Sequence, residues 1–203
     1  MAEVVLFHSV LGMRPGMHLA ADRLRRGGHL VHMPDLYEGH AAFDAYEPAM
    51  EFQDSLGFPE LTARAAGAVA GLRDELFFAG FSAGGALAEY FAASRAGARG
   101  AILVAAALPV RGLGLAAWPA AVPAQVHYAK DDPFREQPEL EEFTREVRAA
   151  GAHFELHEYP GSGHLFADPD LTAEYDPALA DLMWSRVLEF LARGDAGGFE
   201  APG

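Results

Sequence analysis

The chain contains no cysteine. That excludes a disulfide framework, a thiolate metal site and a cysteine nucleophile. Cations are scarce: 15 Lys and Arg stand against 29 Asp and Glu, a formal net charge of −14. Such a surface argues against nucleic acid or an anionic membrane as partner. No apolar stretch reaches membrane-spanning length. The start, MAEVVLFHSVLG, lacks both the basic segment and the long apolar core of a secretion signal, so a cytoplasmic protein is expected. No glycine-rich phosphate loop with a lysine follows a strand pattern. The segment GLGLAAW (112–118) does not directly follow a strand, so a dinucleotide site is rejected. His8, His32 and His40 are not spaced as ligands on one element, and no His and Asp/Glu cluster recurs at helical spacing. Neither a metal nor another cofactor is expected.

What remains is an ordinary globular composition, 51% hydrophobic and 22% charged over 203 residues, enough for one α/β domain with a sizeable core. Short apolar runs at 3–8, 29–34, 76–80, 101–106, 124–129 and 154–159 read as strands. Most lack polar alternation, as strands covered on both faces do. Helix patterns lie between them. The segment 138–150 has Pro138 in its first turn, Leu140, Phe143 and Val147 on one face, and Gly151 as its stop. The last helix opens at Asp176-Pro177 and carries Leu179, Leu182, Met183, Phe190 and Leu191 on a broad face. This alternation predicts a mostly parallel sheet of about six strands with helices on both faces. The expected domain is 1–193, with a fraying tail at 194–203. The Ala-, Pro- and Gly-rich stretch 107–123 reads as a loop or minimal lid. In such sheets sites form at the carboxyl ends of the strands.

Directly after the strand at 76–80 comes Gly80-Phe81-Ser82-Ala83-Gly84, a match to Gly-x-Ser-x-Gly. A nucleophile on a sharp strand-to-helix turn is held in a strained conformation, and side chains two positions either side would collide. Six serines and 22 glycines give roughly 0.07 chance matches, so position decides the matter. This match has the required strand before it and a helix pattern after it. The bland alternative is an idle serine in a glycine-rich turn. Serine needs a base to take its proton, and the partners should follow in the order acid, then histidine. Asp131 and Asp132 follow the strand at 124–129, and His164 follows the strand at 154–159. His164 is the one histidine in a glycine-rich loop downstream of the acid. An acyl-transfer reaction also needs two donors for the oxyanion. The backbone amide of Ala83 is one candidate, and that of Val10, in HSVLGMRPG after the first strand, is the other. Leu11, Tyr37, Leu113, Leu115, Trp118 and Phe166 are candidates for an apolar substrate pocket, although ordinary packing explains each one singly.

The segments LFHSVLG (6–12), MPDLYEGH (33–40), FAGFSAGG (78–85), HYAKDDPF (127–134) and EYPGSGHLFADP (158–169) resemble the dienelactone hydrolase family. The resemblance runs through nearly the whole chain. It implies the α/β-hydrolase fold and a cofactor-free hydrolase that cuts a small ester or lactone through an acyl-enzyme. It also implies that Asp132 is the acid, with Asp131 the fallback. Three departures stand out. Well-known members carry a cysteine where Ser82 stands, and a glutamate that activates it where Ser9 stands. They also carry an arginine, holding a substrate carboxylate, where Asp168 falls. A serine paired with His164 does not need that glutamate, and an acid at 168 would repel a carboxylate. A small ester or lactone substrate is therefore expected, and dienelactone itself is disfavoured. The alternatives are another acyl-transfer or peptidase activity on the same triad, or a binding protein that keeps the fold without turnover. Oligomeric state is not legible.

Overall fold

The computed structural model describes residues 1–40 and 42–199. Six strands form one sheet: β1 (Glu3–Phe7), β2 (Leu30–His32), β3 (Phe77–Phe81), β4 (Gly100–Val104), β5 (Ala124–Ala129) and β6 (Phe154–Tyr159). Their order is β2-β1-β3-β4-β5-β6, and every neighbouring pair is parallel. The order reverses between β1 and β3, and a crevice opens there beyond the strand ends.

Side chains alternate across the sheet into two separate cores. Val5, Phe7, Phe78, Leu103 and Val126 enter one, which is closed by α3 (Phe58–Val69), α4 (Ala83–Ser94) and α5 (Gln137–Ala149). Val4, Leu6, Phe77, Ile102 and Val104 enter the other, closed by α1 (Pro15–Arg26) and α6 (Pro177–Asp195). That is why these strands read as unbroken apolar runs. The helix α2 (Tyr46–Leu56) supplies side chains to the crevice at the strand ends.

Several expected boundaries shift for local reasons. The run 29–34 yields only a three-residue strand, because the His29 amide donates to Leu24 O and Pro34 has no amide to offer. The run 101–106 ends at Val104, since Ala105 turns to φ 54°. Asp176 caps α6 as expected, accepting from the amides of Ala178 and Leu179 at 3.0 Å. The expected fraying from 194 is corrected in part. Helix α6 continues to Asp195, and the Phe199 ring packs on Phe190 with centroids 4.7 Å apart. Residues 200–203 lie outside the described residues.

The turn from β3 into α4 has almost no spare space. Ser82 has φ 52° and ψ −120°, a strained conformation for a residue with a side chain. A Cβ on Gly80 would sit 2.0 Å from Gly84 O, and one on Gly84 would sit 2.3 Å from His8 O. Both obstacles are backbone and cannot swing aside. Gly84→Ala is therefore expected to cost about 3 kcal/mol, lowering Tm by about 6–12 °C in a chain of this size. A melt followed by circular dichroism checks this.

Candidate active site

The three candidate side chains arrive from three different strand ends and meet. Ser82 Oγ lies 2.8 Å from His164 Nε2. His164 Nδ1 lies 2.7 Å from Asp132 Oδ2. His164 and Asp132 are buried, and the Asp132 side chain has no exposed surface. Pairing between β5 and β6 persists past the strand ends: Lys130 N donates to Tyr159 O, and Asp131 N to Gly161 O. These bonds bring the loop bearing the acid against the loop bearing the histidine. The second carboxylate oxygen of Asp132 accepts from Phe134 N at 2.8 Å, which fixes its rotamer. Asp131 points to solvent and takes no part.

Val10 and Ala83 both border the cleft beside Ser82. Among the described residues, neither backbone amide donates to another protein group. The loop carrying Val10 is held from both sides. The Tyr37 hydroxyl donates to Val10 O at 2.8 Å, and Ser9 Oγ accepts from Leu11 N at 3.2 Å. Burial pushes the Tyr37 phenol up to about 12, so it stays a donor at physiological pH. Ser9 is thus part of the turn that aims Val10.

His164 is braced by rings and by a glutamate. The Phe134 ring lies 4.8 Å from it and the Tyr46 ring 5.8 Å, centroid to centroid. The Tyr46 hydroxyl donates to Glu174 Oε1 at 2.8 Å, while Glu174 Oε2 accepts from Leu165 N at 2.7 Å. Glu174 therefore ties α2 to the histidine loop. Burial and this carboxylate hold the Tyr46 phenol well above its ordinary range. Tyr46 and Glu174 were not evident in the sequence, since they lie far apart along the chain and neither belongs to a motif; Phe134 closes the segment HYAKDDPF, but nothing in that segment marks its ring as a brace for His164.

A cleft of about 230 Å³ opens over Ser82, bordered by Tyr46, Met50, Tyr128, Phe134, Glu136 and Glu139 among others. A second, of about 400 Å³, lies beside it and shares Gln53, Ala83, Ala86 and Leu108 with the first. Among the candidate pocket residues, Tyr37 and Leu113 line the second cleft. Leu11, Trp118 and Phe166 do not reach either. Leu11 is fully buried in the core, Trp118 packs on Phe143 and donates to Val122 O, and Phe166 packs on Tyr159. Leu115 also packs on the core. The stretch 107–123 holds a short 3-10 turn, Val110–Leu113, and is moored by its backbone: Leu108 N donates to Glu89 and Val110 N to Glu146. It is a fixed wall of the cleft. Asp168 is also corrected. It is buried behind the site beside Arg14, its Oδ1 accepting from Asp170 N at 2.9 Å, and it borders neither cleft.

A serine, a histidine and a buried carboxylate in line, with two unengaged amides beside the serine, are the parts an acyl-transfer site requires. The sheet order, the strand-to-helix turn and this placement define an α/β-hydrolase. Residues 1–194 match the sequence model of the dienelactone hydrolase family, and the chain belongs to that family. No curated protein matches the chain significantly. Among solved structures, it is similar to a dienelactone hydrolase-like promiscuous phosphotriesterase from metagenomic libraries. The two are 18% identical with a TM-score of 0.78, over 95% of this chain and 86% of that one. It is also similar to an esterase of Pyrobaculum calidifontis, with 17% identity and a TM-score of 0.64 over 98% of this chain and 78% of that one. A thioesterase domain from the curacin biosynthetic pathway gives 17% identity and a TM-score of 0.60 over 90% of each chain. At these identities the likeness is one of fold. No described helix is long and apolar enough to cross a membrane.

Proposed function

We propose that this hydrolase is a serine esterase that cleaves a small uncharged ester or lactone through an acyl-enzyme. The observation that carries the reading is the unbroken line from Asp132 through His164 to Ser82, with the amides of Val10 and Ala83 free beside it. With Nδ1–H donated to Asp132, His164 Nε2 accepts the Ser82 proton. Oγ then bonds to the substrate carbonyl carbon, and the carbonyl oxygen takes the negative charge against the Val10 and Ala83 amides. As the tetrahedral centre collapses, the bond to the leaving oxygen breaks and His164 returns the proton to that oxygen. Water then repeats the sequence. Its proton passes to His164 Nε2, its oxygen bonds to the acyl carbon, and Oγ leaves with the proton.

The preference for an uncharged substrate rests on Glu136 and Glu139. Both border the cleft over Ser82, and no Lys or Arg side chain borders it among the described residues. A substrate carboxylate would meet like charge there, in a protein already strongly acidic. A non-catalytic binding role would leave the strained Ser82 turn without a purpose.

A fluorophosphonate probe tests the reading. It should label the native protein covalently at one site, and mass mapping should place the adduct on the peptide containing Ser82. An unlabelled protein, or an adduct elsewhere, sinks the assignment.

A further inference from the structure

The two clefts differ in chemistry, and the differences assign them different halves of the substrate. His164 borders the cleft over Ser82 and does not border the second. A leaving oxygen must lie within reach of His164 Nε2 to receive its proton, so the leaving group belongs in the first cleft. The other substituent on the same carbonyl must depart in another direction. The second cleft provides one: it adjoins the first along Ala83 and Ala86, which line both and whose side chains are single methyl groups.

The second cleft is lined chiefly with carbon: Leu36, Leu61, Leu87, Leu108 and Leu113, with Phe58 at its rim. Of its polar side chains, His8, Ser9 and Tyr37 are engaged, and only Gln53, on the boundary shared with the first cleft, is uncommitted among the described residues. His8 Nδ1 donates to Ser9 O at 2.7 Å, and its Nε2 accepts from Leu36 N at 3.1 Å, so the ring is neutral. Burial lowers its pKa in the same sense. Ser9 Oγ accepts from Leu11 N, and the Tyr37 hydroxyl is given to Val10 O. The first cleft, in contrast, presents Glu136, which is exposed, and Glu139, which is half-buried, and neither makes a side-chain hydrogen bond to described residues. An aliphatic chain laid over them would desolvate two carboxylates, whereas in the second cleft the one uncommitted polar side chain it meets among the described residues is the neutral amide of Gln53.

Resting on the esterase reading above, we infer that the second cleft is the acyl subsite and that the enzyme prefers esters of medium-length aliphatic acids over acetate esters. Each methylene that enters this chamber should raise kcat/KM by up to about fourfold, the factor expected for burying one such group.

The experiment measures kcat/KM for p-nitrophenyl acetate, butyrate, hexanoate and octanoate. The native enzyme should climb from acetate to hexanoate or octanoate. Leu113→Trp, which fills the chamber, should lower the octanoate-to-acetate ratio at least tenfold. Leu113→Ala, which enlarges it, should move the optimum toward longer chains. The two variants carry opposite predictions, so a folding failure of the tryptophan variant leaves the alanine variant to decide. A native profile that falls steadily from acetate, or a ratio that neither variant moves, overturns the acyl assignment while leaving Ser82 esterase activity in place. No turnover of any of the four esters, together with no fluorophosphonate adduct, overturns the esterase reading itself and the subsite with it.

Discussion

Ser82→Ala is expected to lower kcat/KM for p-nitrophenyl esters about a millionfold, with a residue of activity from binding and the oxyanion amides alone. Without Oγ no acyl-enzyme forms, and His164 has no attached nucleophile to deprotonate. The fold should not suffer, because among the described residues the only hydrogen bond Ser82 Oγ makes is the one to His164 Nε2. A companion variant separates chemistry from strain. Ser82→Gly should be equally inactive, yet it relieves the φ of 52°, which costs a residue with a side chain about 1 kcal/mol or more. Its Tm should rise by about 2–4 °C over the native protein. Alanine gains nothing of the kind, since it keeps a Cβ. Activity above a few per cent of native in either variant, measured at matched concentration, contradicts a nucleophilic Ser82.

That pair of variants also shows why the turn was legible in the sequence. Gly80 and Gly84 face fixed backbone atoms across a gap that admits no Cβ, so the constraint is local and is written in residue type. The sheet was legible for a similar reason: strands covered on both faces must be apolar at every position, as Val4 through Phe7 and Ala101 through Val104 are. The cleft walls were not. Tyr46, Met50 and Gln53 come from α2, whose residues are mostly exposed or half-buried and carry no motif. Trp118 and Phe166 drew attention as large aromatics near the site loops, but a large apolar side chain satisfies a core as well as a pocket. Only the three-dimensional path of the chain decides between these, and here both are core. Asp168 misled for the opposite reason. Four residues past His164 the chain has already turned under α1, so the side chain meets Arg14 and never sees the cleft.

The choice between two adjacent aspartates was open in the residues themselves, and it yields the second large effect. Asp132→Asn is expected to lower kcat about ten-thousandfold. The amide cannot adopt either orientation freely. The position of Oδ1 receives the Phe134 N–H at 2.8 Å, so the asparagine must keep its carbonyl oxygen there. Its NH2 then faces His164 Nδ1, 2.7 Å away in the native pair. A donor at that place forces Nδ1 to accept, the imidazole proton moves to Nε2, and Nε2 can no longer take the proton from Ser82 Oγ. The loss is therefore one of tautomer, with the side chain's volume unchanged and the buried site still filled. Asp131→Asn, one residue earlier and exposed, should leave kcat within about twofold, as a surface change remote from the relay does. Steady-state rates for the two variants under the same conditions decide the point. A large loss in the Asp131 variant with little in the Asp132 variant would reverse the assignment of the acid.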